Sequence, residues 1–194
     1  MRTHAAILEA ATRLASVDGI QGLTLGRLAT ELGVSKSGLY AHFGSKEQLQ
    51  LETIDAALEI FGREVIAPAE RAPEGLRRLE AVLAAYFSYL ERWVFPGGCF
   101  FAALLAEMDA GAGAVHEKVV ELERGWMRHF TAYVRAAQEL HEIRMDVDAE
   151  QLVFELYACM ELTNYHFVMF RDAAVLNRGQ RAVARILEQA RQAL

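Results

Sequence analysis

Cysteine and long apolar runs are scarce in this chain of 194 residues. The two cysteines, Cys99 and Cys159, form no CxxC pair, which excludes a disulfide scaffold and zinc-finger spacing. The longest apolar run, from Cys99 to Ala106, is far shorter than the ~20 residues that a membrane span needs. Charges return early, at Glu9 and Arg13, which does not fit a signal peptide. We therefore expect a cytoplasmic protein with no membrane partner.

Motifs for metal ions, cofactors and catalysis are also missing. Histidine and acidic residues show no HExxH or similar spacing, and the glycines at 111 and 113 lack the third glycine of a dinucleotide fingerprint. We expect no metal, no cofactor and no catalytic residue, and so not an enzyme. The alternative that stays open is an all-helical enzyme whose active site lies in the second part of the chain.

Apolar residues recur at helical spacing almost throughout, and hydrophobic residues make up 53% of the chain. No stretch alternates strictly between apolar and polar residues, as a half-buried strand would. The sequence therefore predicts an all-α fold of about nine helices. Proline, glycine and capping residues, including a break at 177–179, give these segments: 3–17, 25–32, 35–43, 46–66, 74–94, 99–110, 114–141, 148–171 and 180–193.

The second and third segments have the residue types of a helix-turn-helix. Ala29 is small enough for two helices to cross closely, and Gly33 tolerates the positive φ of a turn. The apolar residues expected to lock the pair are Leu28, Leu32, Val34 and Leu39. The outer side of the second helix is polar and carries Lys36, Ser37, Gly38, Tyr40 and His42. Such a helix suits entry into the major groove of DNA.

Net charge at first argues against nucleic acid, because 20 Lys and Arg face 26 Asp and Glu, a net of −6. The charge is unevenly distributed, however. Residues 1–48 carry a net charge of +1 and the remainder −7. This difference predicts a DNA-binding domain over 1–48 and an acidic second domain over 49–194.

The stretch TLGRLATELGVSKSGLYAHF, residues 24–43, followed by GSKEQL, resembles the DNA-binding region of the TetR family of bacterial transcriptional regulators. The resemblance implies that base edges are contacted by Lys36, Ser37, Gly38 and Leu39. It implies that phosphates are contacted by Thr24, Tyr40, His42 and Lys46, and we add Arg27 as a cation able to neutralise a phosphate. The alternative is a packed three-helix subdomain whose polar residues are incidental.

The resemblance also implies a function. We expect a homodimeric repressor that binds a two-fold symmetric double-stranded DNA operator and is released by a small, largely apolar or aromatic effector. With so few cations per subunit, binding requires two subunits at adjacent half-sites. The alternative is a constitutive DNA-binding structural protein that has no effector.

The last two segments are candidates for the dimer interface. From 151 to 170 the only charges are Glu155 and Glu161, so this helix is apolar nearly all round. In the TetR family the last two long helices of each subunit form a four-helix bundle. The expected interface residues are Leu152, Leu156, Cys159, Thr163, Val183, Ile186 and Leu187. The alternative is that these residues form only intramolecular core.

Bulky side chains between these regions are candidates for an effector cavity in the second domain, because family members hold an effector among these helices. The expected lining residues are Tyr86, Tyr89, Trp93, Phe101, Met108, Trp126 and Tyr165, with Asn164 or His166 as polar anchors. The alternative is plain hydrophobic core, since aromatic stripes at helical spacing are more often core than cavity.

Overall fold

The computed structural model describes residues 3–108 and 112–191, and these residues are mostly helical. The helices are α1 (His4–Asp18), α2 (Leu25–Leu32), α3 (Lys36–Phe43), α4 (Lys46–Phe61), α5 (Ala67–Glu70), α6 (Leu76–Glu91), α7 (Phe100–Glu107), α8 (Ala114–Glu139), α9 (Ala149–Phe170) and α10 (Ala173–Ala190). A π-helical turn, Gly62–Ile66, joins α4 to α5 into one run. The described residues thus form nine helical runs and no strand beyond an isolated bridge between Ile143 and Arg191, which confirms the all-α prediction.

The run that begins with α4 continues past Pro68, so the expectation that it ends near residue 66 is wrong. The amide of Ala67 donates to the carbonyl of Gly62, five residues earlier, in the π-helical turn. This change of hydrogen-bond register places Pro68 in the first turn of α5, where a residue without an N–H group is tolerated.

The predicted break at 177–179 is also wrong, because these residues lie inside α10. Gly179 is buried, and a Cβ atom at this position would overlap the side chain of Thr163 on α9. The glycine therefore serves close helix packing rather than a turn. The ends of the predicted segments 99–110 and 180–193, and the glycine at 111, lie outside the described residues.

The chain divides into two compact units. The first comprises Met1–Ile60 and Phe95–Glu121, and the second comprises Phe61–Val94 and Leu122–Leu194. The unit with the helix-turn-helix thus also holds α7 and the start of α8. The predicted boundary after residue 48 concerns function and stays a prediction.

Within the described part of the chain, none of the helices is both long and apolar enough to cross a bilayer. The described histidine, cysteine, aspartate and glutamate side chains do not gather in groups of three or more suited to a metal ion.

The contact at Gly179 gives a test of the packing between α9 and α10. We expect Gly179→Ala to lower the free energy of unfolding by roughly 1–3 kcal/mol, since the added methyl group must displace Thr163. The matched control is Gly125→Ala in α8, where the nearest atom to a new Cβ is 3.9 Å away. There the higher helix propensity of alanine is expected to stabilise the chain by about 0.5–1 kcal/mol. Urea unfolding at one protein concentration measures both, and equal effects would contradict the close packing.

Candidate functional site

The helix-turn-helix formed by α2 and α3 is held by two N-caps and a glycine turn. Thr24 Oγ1 accepts a hydrogen bond from the amide of Arg27 at 3.1 Å and starts α2. Gly33 follows α2 in the left-handed conformation, with a φ of 65°, as the sequence predicts. Ser35 Oγ accepts from the amide of Gly38 at 3.2 Å and starts α3. These local interactions set the geometry of the turn.

The inner face of α3 is formed by Leu39 and Phe43, which lie four residues apart on the same side of the helix. Both are buried, and Leu39 is only 1% exposed. The expectation that Leu39 contacts base edges is therefore wrong, because its side chain belongs to the core. Val34, expected to lock the two helices, is exposed instead.

The outer face of α3 carries the remaining residues expected to contact DNA. All are exposed: Lys36, Ser37, Gly38, Tyr40 and His42. Tyr40 is 59% exposed despite its aromatic ring. A short helix with an ammonium group, two hydroxyls and an imidazole on its outer side is suited to hydrogen bonding in a major groove. Gly38 leaves room for a close approach.

Two of the cations expected to contact phosphates have partners within the chain. Arg27 Nη2 lies 3.1 Å from Asp18 Oδ2, and its Nη1 lies 3.8 Å from Glu31 Oε2, so acidic neighbours balance its charge. Lys46 Nζ donates to the carbonyl oxygen of Gln21 at 2.7 Å. A neutral carbonyl leaves the ammonium charge uncompensated. Lys46 is therefore a stronger candidate than Arg27 for a phosphate contact.

Several of the expected effector-lining residues form an aromatic cluster in the second unit. Tyr86 and Tyr89 are buried with their rings 6.1 Å apart. Phe61 lies edge-on to Tyr89 at 5.8 Å and to Trp126 at 5.5 Å. Trp126 stacks on Phe130 at 5.3 Å. Phe61 connects Tyr89 to Trp126 and was not among the expected lining residues. The sequence did indicate it, as an aromatic residue at the end of the apolar pattern of α4.

Trp93, another expected lining residue, is covered by its own chain. Its ring stacks on Phe167 at 4.6 Å, and the guanidinium carbon of Arg171 lies 4.2 Å from the ring centroid. The cation–π contact with Arg171 occupies a ring face on which a ligand would have to stack. Trp93 is therefore a poor candidate for direct effector contact.

The other expected lining residues do not join the aromatic cluster. Phe101 and Met108 belong to the first unit, and Tyr165 is exposed on α9. Of the expected polar anchors, Asn164 is buried and His166 lies 5.0 Å from the Phe170 ring.

A pair of carboxyl groups inside the second unit was not anticipated. Tyr157 Oη donates to Glu123 Oε2 at 3.3 Å, and Glu161 follows Tyr157 by one turn of α9. Burial, and to a smaller extent the charge of Glu123, raise the pKa of Glu161 to about 7. Burial also raises the pKa of Glu123, against the opposing hydrogen bond from Tyr157. The signal in the sequence was an isolated glutamate in an apolar stretch.

Five of the residues expected at the dimer interface are buried inside the chain: Leu152, Leu156, Thr163, Val183 and Leu187. Because these side chains are buried within their own chain, they are not available to contact a second subunit, and their assignment to the dimer interface is corrected. Cys159 and Ile186 are half-buried, and burial raises the pKa of the Cys159 thiol.

A different face of α9 is exposed and apolar. Its exposed large side chains are Phe154 and, from two helical turns further on, Leu162, Tyr165, Met169 and Phe170. Met169 is 70% exposed. A stripe of this kind is larger than the scattered apolar residues of an ordinary surface. Because the helix is apolar nearly all round, periodicity did not reveal which side faces inward.

Two family models match the chain. Residues 7–53 match the model of bacterial regulatory proteins of the tetR family, and residues 75–193 match the tetracyclin repressor-like C-terminal domain. The first match contains the whole helix-turn-helix, and the second contains most of the second unit.

Individual proteins are similar to the chain as well. The HTH-type transcriptional regulator BetI of Agrobacterium fabrum is 35% identical over 82 residues, 42% of this chain and 40% of that protein. The HTH-type transcriptional regulator LmrA of Bacillus subtilis is 38% identical over 90 residues, 44% and 47% of the two chains. Each match thus spans less than half of the curated relative. The crystal structure of a TetR transcriptional regulator from Chloroflexus aurantiacus superposes with a TM-score of 0.87 at 27% identity, over 97% of this chain and 96% of that one.

The raised pKa of Glu161 predicts a pH-dependent stability. Between its ordinary pKa of 4.5 and the folded value of about 7, the folded chain binds a proton that the unfolded chain releases. The free energy of unfolding therefore falls as pH rises through this window. We expect Glu161→Gln to raise it by roughly 1–2 kcal/mol at pH 8 and to change it little at pH 5, allowing for residual solvation of the carboxyl group.

The control for this measurement is Glu139→Gln, an exposed glutamate on α8. Chemical unfolding of the wild type and both variants from pH 5 to 8 gives the comparison. A Glu161→Gln variant with the same pH dependence as the wild type would contradict the assignment.

Proposed function

The chain belongs to the TetR family of bacterial regulatory proteins, and on that premise we propose that it is a DNA-binding transcriptional repressor. It binds a two-fold symmetric operator as a homodimer, and a small, largely apolar or aromatic effector releases it. The observation that carries the DNA-binding part is the capped α3 helix, whose outer face is polar, cationic and exposed.

The DNA contacts follow from the exposed groups. Ser37 and Lys36 at the start of α3 face base edges, and Gly38 allows the backbone to approach them. Tyr40, His42 and Lys46 contact phosphates and fix the register without reading sequence. Thr24 acts mainly as the cap that orients α2.

The dimer forms through the exposed apolar stripe of α9. A second copy of this chain is the occupant we propose, because two-fold operators require two heads and because the stripe is self-complementary in character, apolar on both copies. The stripe contains Phe154, Leu162, Tyr165, Met169 and Phe170. Cys159 and Ile186 remain candidates for the edge of this interface.

The effector site includes the aromatic cluster of the second unit. Tyr86, Tyr89 and Trp126 offer apolar ring surface, and Phe61 connects the last two. An effector that binds the DNA-incompetent arrangement more tightly shifts the population away from the operator, and the shift cannot exceed that difference in affinity.

Operator binding tests the DNA interface. Duplexes are selected from a random pool with the wild-type chain, and a two-fold symmetric motif is expected; a pool without an enriched motif would favour a structural DNA-binding protein. Each subunit brings two positive charges to the DNA, Lys46 on a phosphate and Lys36 in the groove between the two backbones, where its ammonium also displaces a counterion. The slope of log K against log salt is therefore expected to be about −4 for the dimer. Lys36→Ala, which removes one such charge from each subunit, is expected to reduce this slope by about 2 per dimer. The control is Arg185→Ala on the exposed side of α10, and a wild-type slope near −10 would contradict the proposed interface.

Sedimentation equilibrium tests the dimer. We expect Met169→Glu to weaken association at least 100-fold, because a charge would be buried in an apolar interface. Leu140→Glu is the control, since Leu140 is also an exposed apolar residue but lies outside the α9 stripe. Dissociation by both substitutions, or by neither, would contradict the assignment of the interface to α9.

A further inference from the structure

The turn between α1 and α2 is held by side chains from two other helices. Its two central residues, Ile20 and Gln21, have both of their amides and both of their carbonyls hydrogen-bonded. On the carbonyl side, Gln50 Nε2 donates to Ile20 O at 2.6 Å, and Lys46 Nζ donates to Gln21 O at 2.7 Å, both from α4. An isolated surface turn would leave such groups to water.

The two amides of this turn bind a single carboxylate. Ile20 N donates to Glu107 Oε1 at 2.9 Å, and Gln21 N donates to Glu107 Oε2 at 2.9 Å. Glu107 is the last residue of α7, more than 80 residues away along the chain. Hydrogen bonds to an ionised acceptor are about twice as strong as neutral ones, so this is a strong link between α7 and the helix-turn-helix.

Two glycines make the contact sterically possible. Gly19 has a φ of +78°, and a Cβ atom there would overlap the carboxylate of Glu107. Gly97 precedes α7, and a Cβ atom there would overlap the carbonyl of Ser16 in the last turn of α1. The amide of Gly97 also donates to Ser16 Oγ at 3.3 Å. The segment 97–107 therefore contacts the end of α1 at two places, through the backbone at Gly97 and through the Glu107 carboxylate beside Gly19.

We infer that Glu107 is a positioning residue for operator binding: its carboxylate fixes the α1–α2 turn to α7 and so holds α2 and α3 in the orientation that DNA requires. A head that is ordered before binding loses less conformational freedom on the operator, which preserves affinity. This role rests on the proposed function, since it presupposes a DNA duplex.

The test compares the full-length wild type with Glu107→Gln, Glu107→Ala and the control Glu121→Gln, an exposed glutamate of α8 in the same unit. Two quantities are measured well below the unfolding temperature: amide hydrogen exchange at Ile20 and Gln21, and affinity for a duplex enriched by selection with the wild type. We expect Glu107→Ala to accelerate both amides at least 10-fold and to weaken duplex binding at least 10-fold. Glu107→Gln, which keeps one acceptor oxygen, is expected to lie between Glu107→Ala and the wild type.

A purely local role would accelerate exchange without changing duplex affinity, and that result would overturn the inference. Unchanged exchange in Glu107→Ala would overturn it too, as would tighter duplex binding or an equal effect of Glu121→Gln. If Glu107→Ala fails to fold, the Glu107→Gln measurements decide alone. A wild type that enriches no duplex would contradict the proposed function and the positioning role together, whereas the exchange rates would still report whether the carboxylate holds the turn.

Discussion

The helix-turn-helix of this protein depends on one constraint: α3 has eight residues, and a helix of this length is not stable alone in water. Its order must come from its surroundings. Ser35 caps its first turn, the left-handed Gly33 sets the angle from α2, and Leu39 and Phe43 anchor its inner face in the core. With the inner face committed to packing, the outer face is free to be polar. The hydrogen bonds of Glu107, Lys46 and Gln50 extend the same support to the turn before α2.

The features that sequence reasoning predicted well are local ones. Thr24, Gly33 and Ser35 act on backbone groups one to four residues away, and their residue types alone indicate their role. The start of α4 shows the limit of residue type, since Ser45 and Gln48 have the spacing of a capping box, in which the glutamine side chain would bond back to the Ser45 amide. Ser45 Oγ does accept from the amide of Gln48 at 3.0 Å, but the Gln48 side chain donates to Glu52 instead. A choice between two acceptors within one turn is a small difference in energy that residue type does not decide.

The features that were mispredicted depend on distant parts of the chain. From the sequence alone, Gly179 indicates a helix end. Its place inside α10 is explained only by the close contact with Thr163 of α9, which leaves no room for a Cβ atom. The orientation of α9 was ambiguous because apolar residues lie on nearly all sides of the helix. The buried residues around Leu156 and the exposed residues around Met169 are equally apolar, so hydrophobic periodicity could not tell one face from the other. The phosphate contact of Arg27 stays a prediction, and the sequence did not reveal its competing partner: Asp18, nine residues earlier, approaches Arg27 only after α1 and α2 have folded against each other. The family comparison supplied fold and class, and the structure supplied these orientations.

The carboxyl group of Glu161 also changes what the composition says about charge. The formal net charge of −6 counts every glutamate as ionised at pH 7. With a pKa of about 7, Glu161 is close to half protonated at that pH, so the folded chain is less negative than its sequence and buffers protons near neutrality. Unfolding releases that proton to the solvent. At neutral pH, the native and denatured forms of this chain therefore differ in electrophoretic mobility by more than the difference in their size alone would produce.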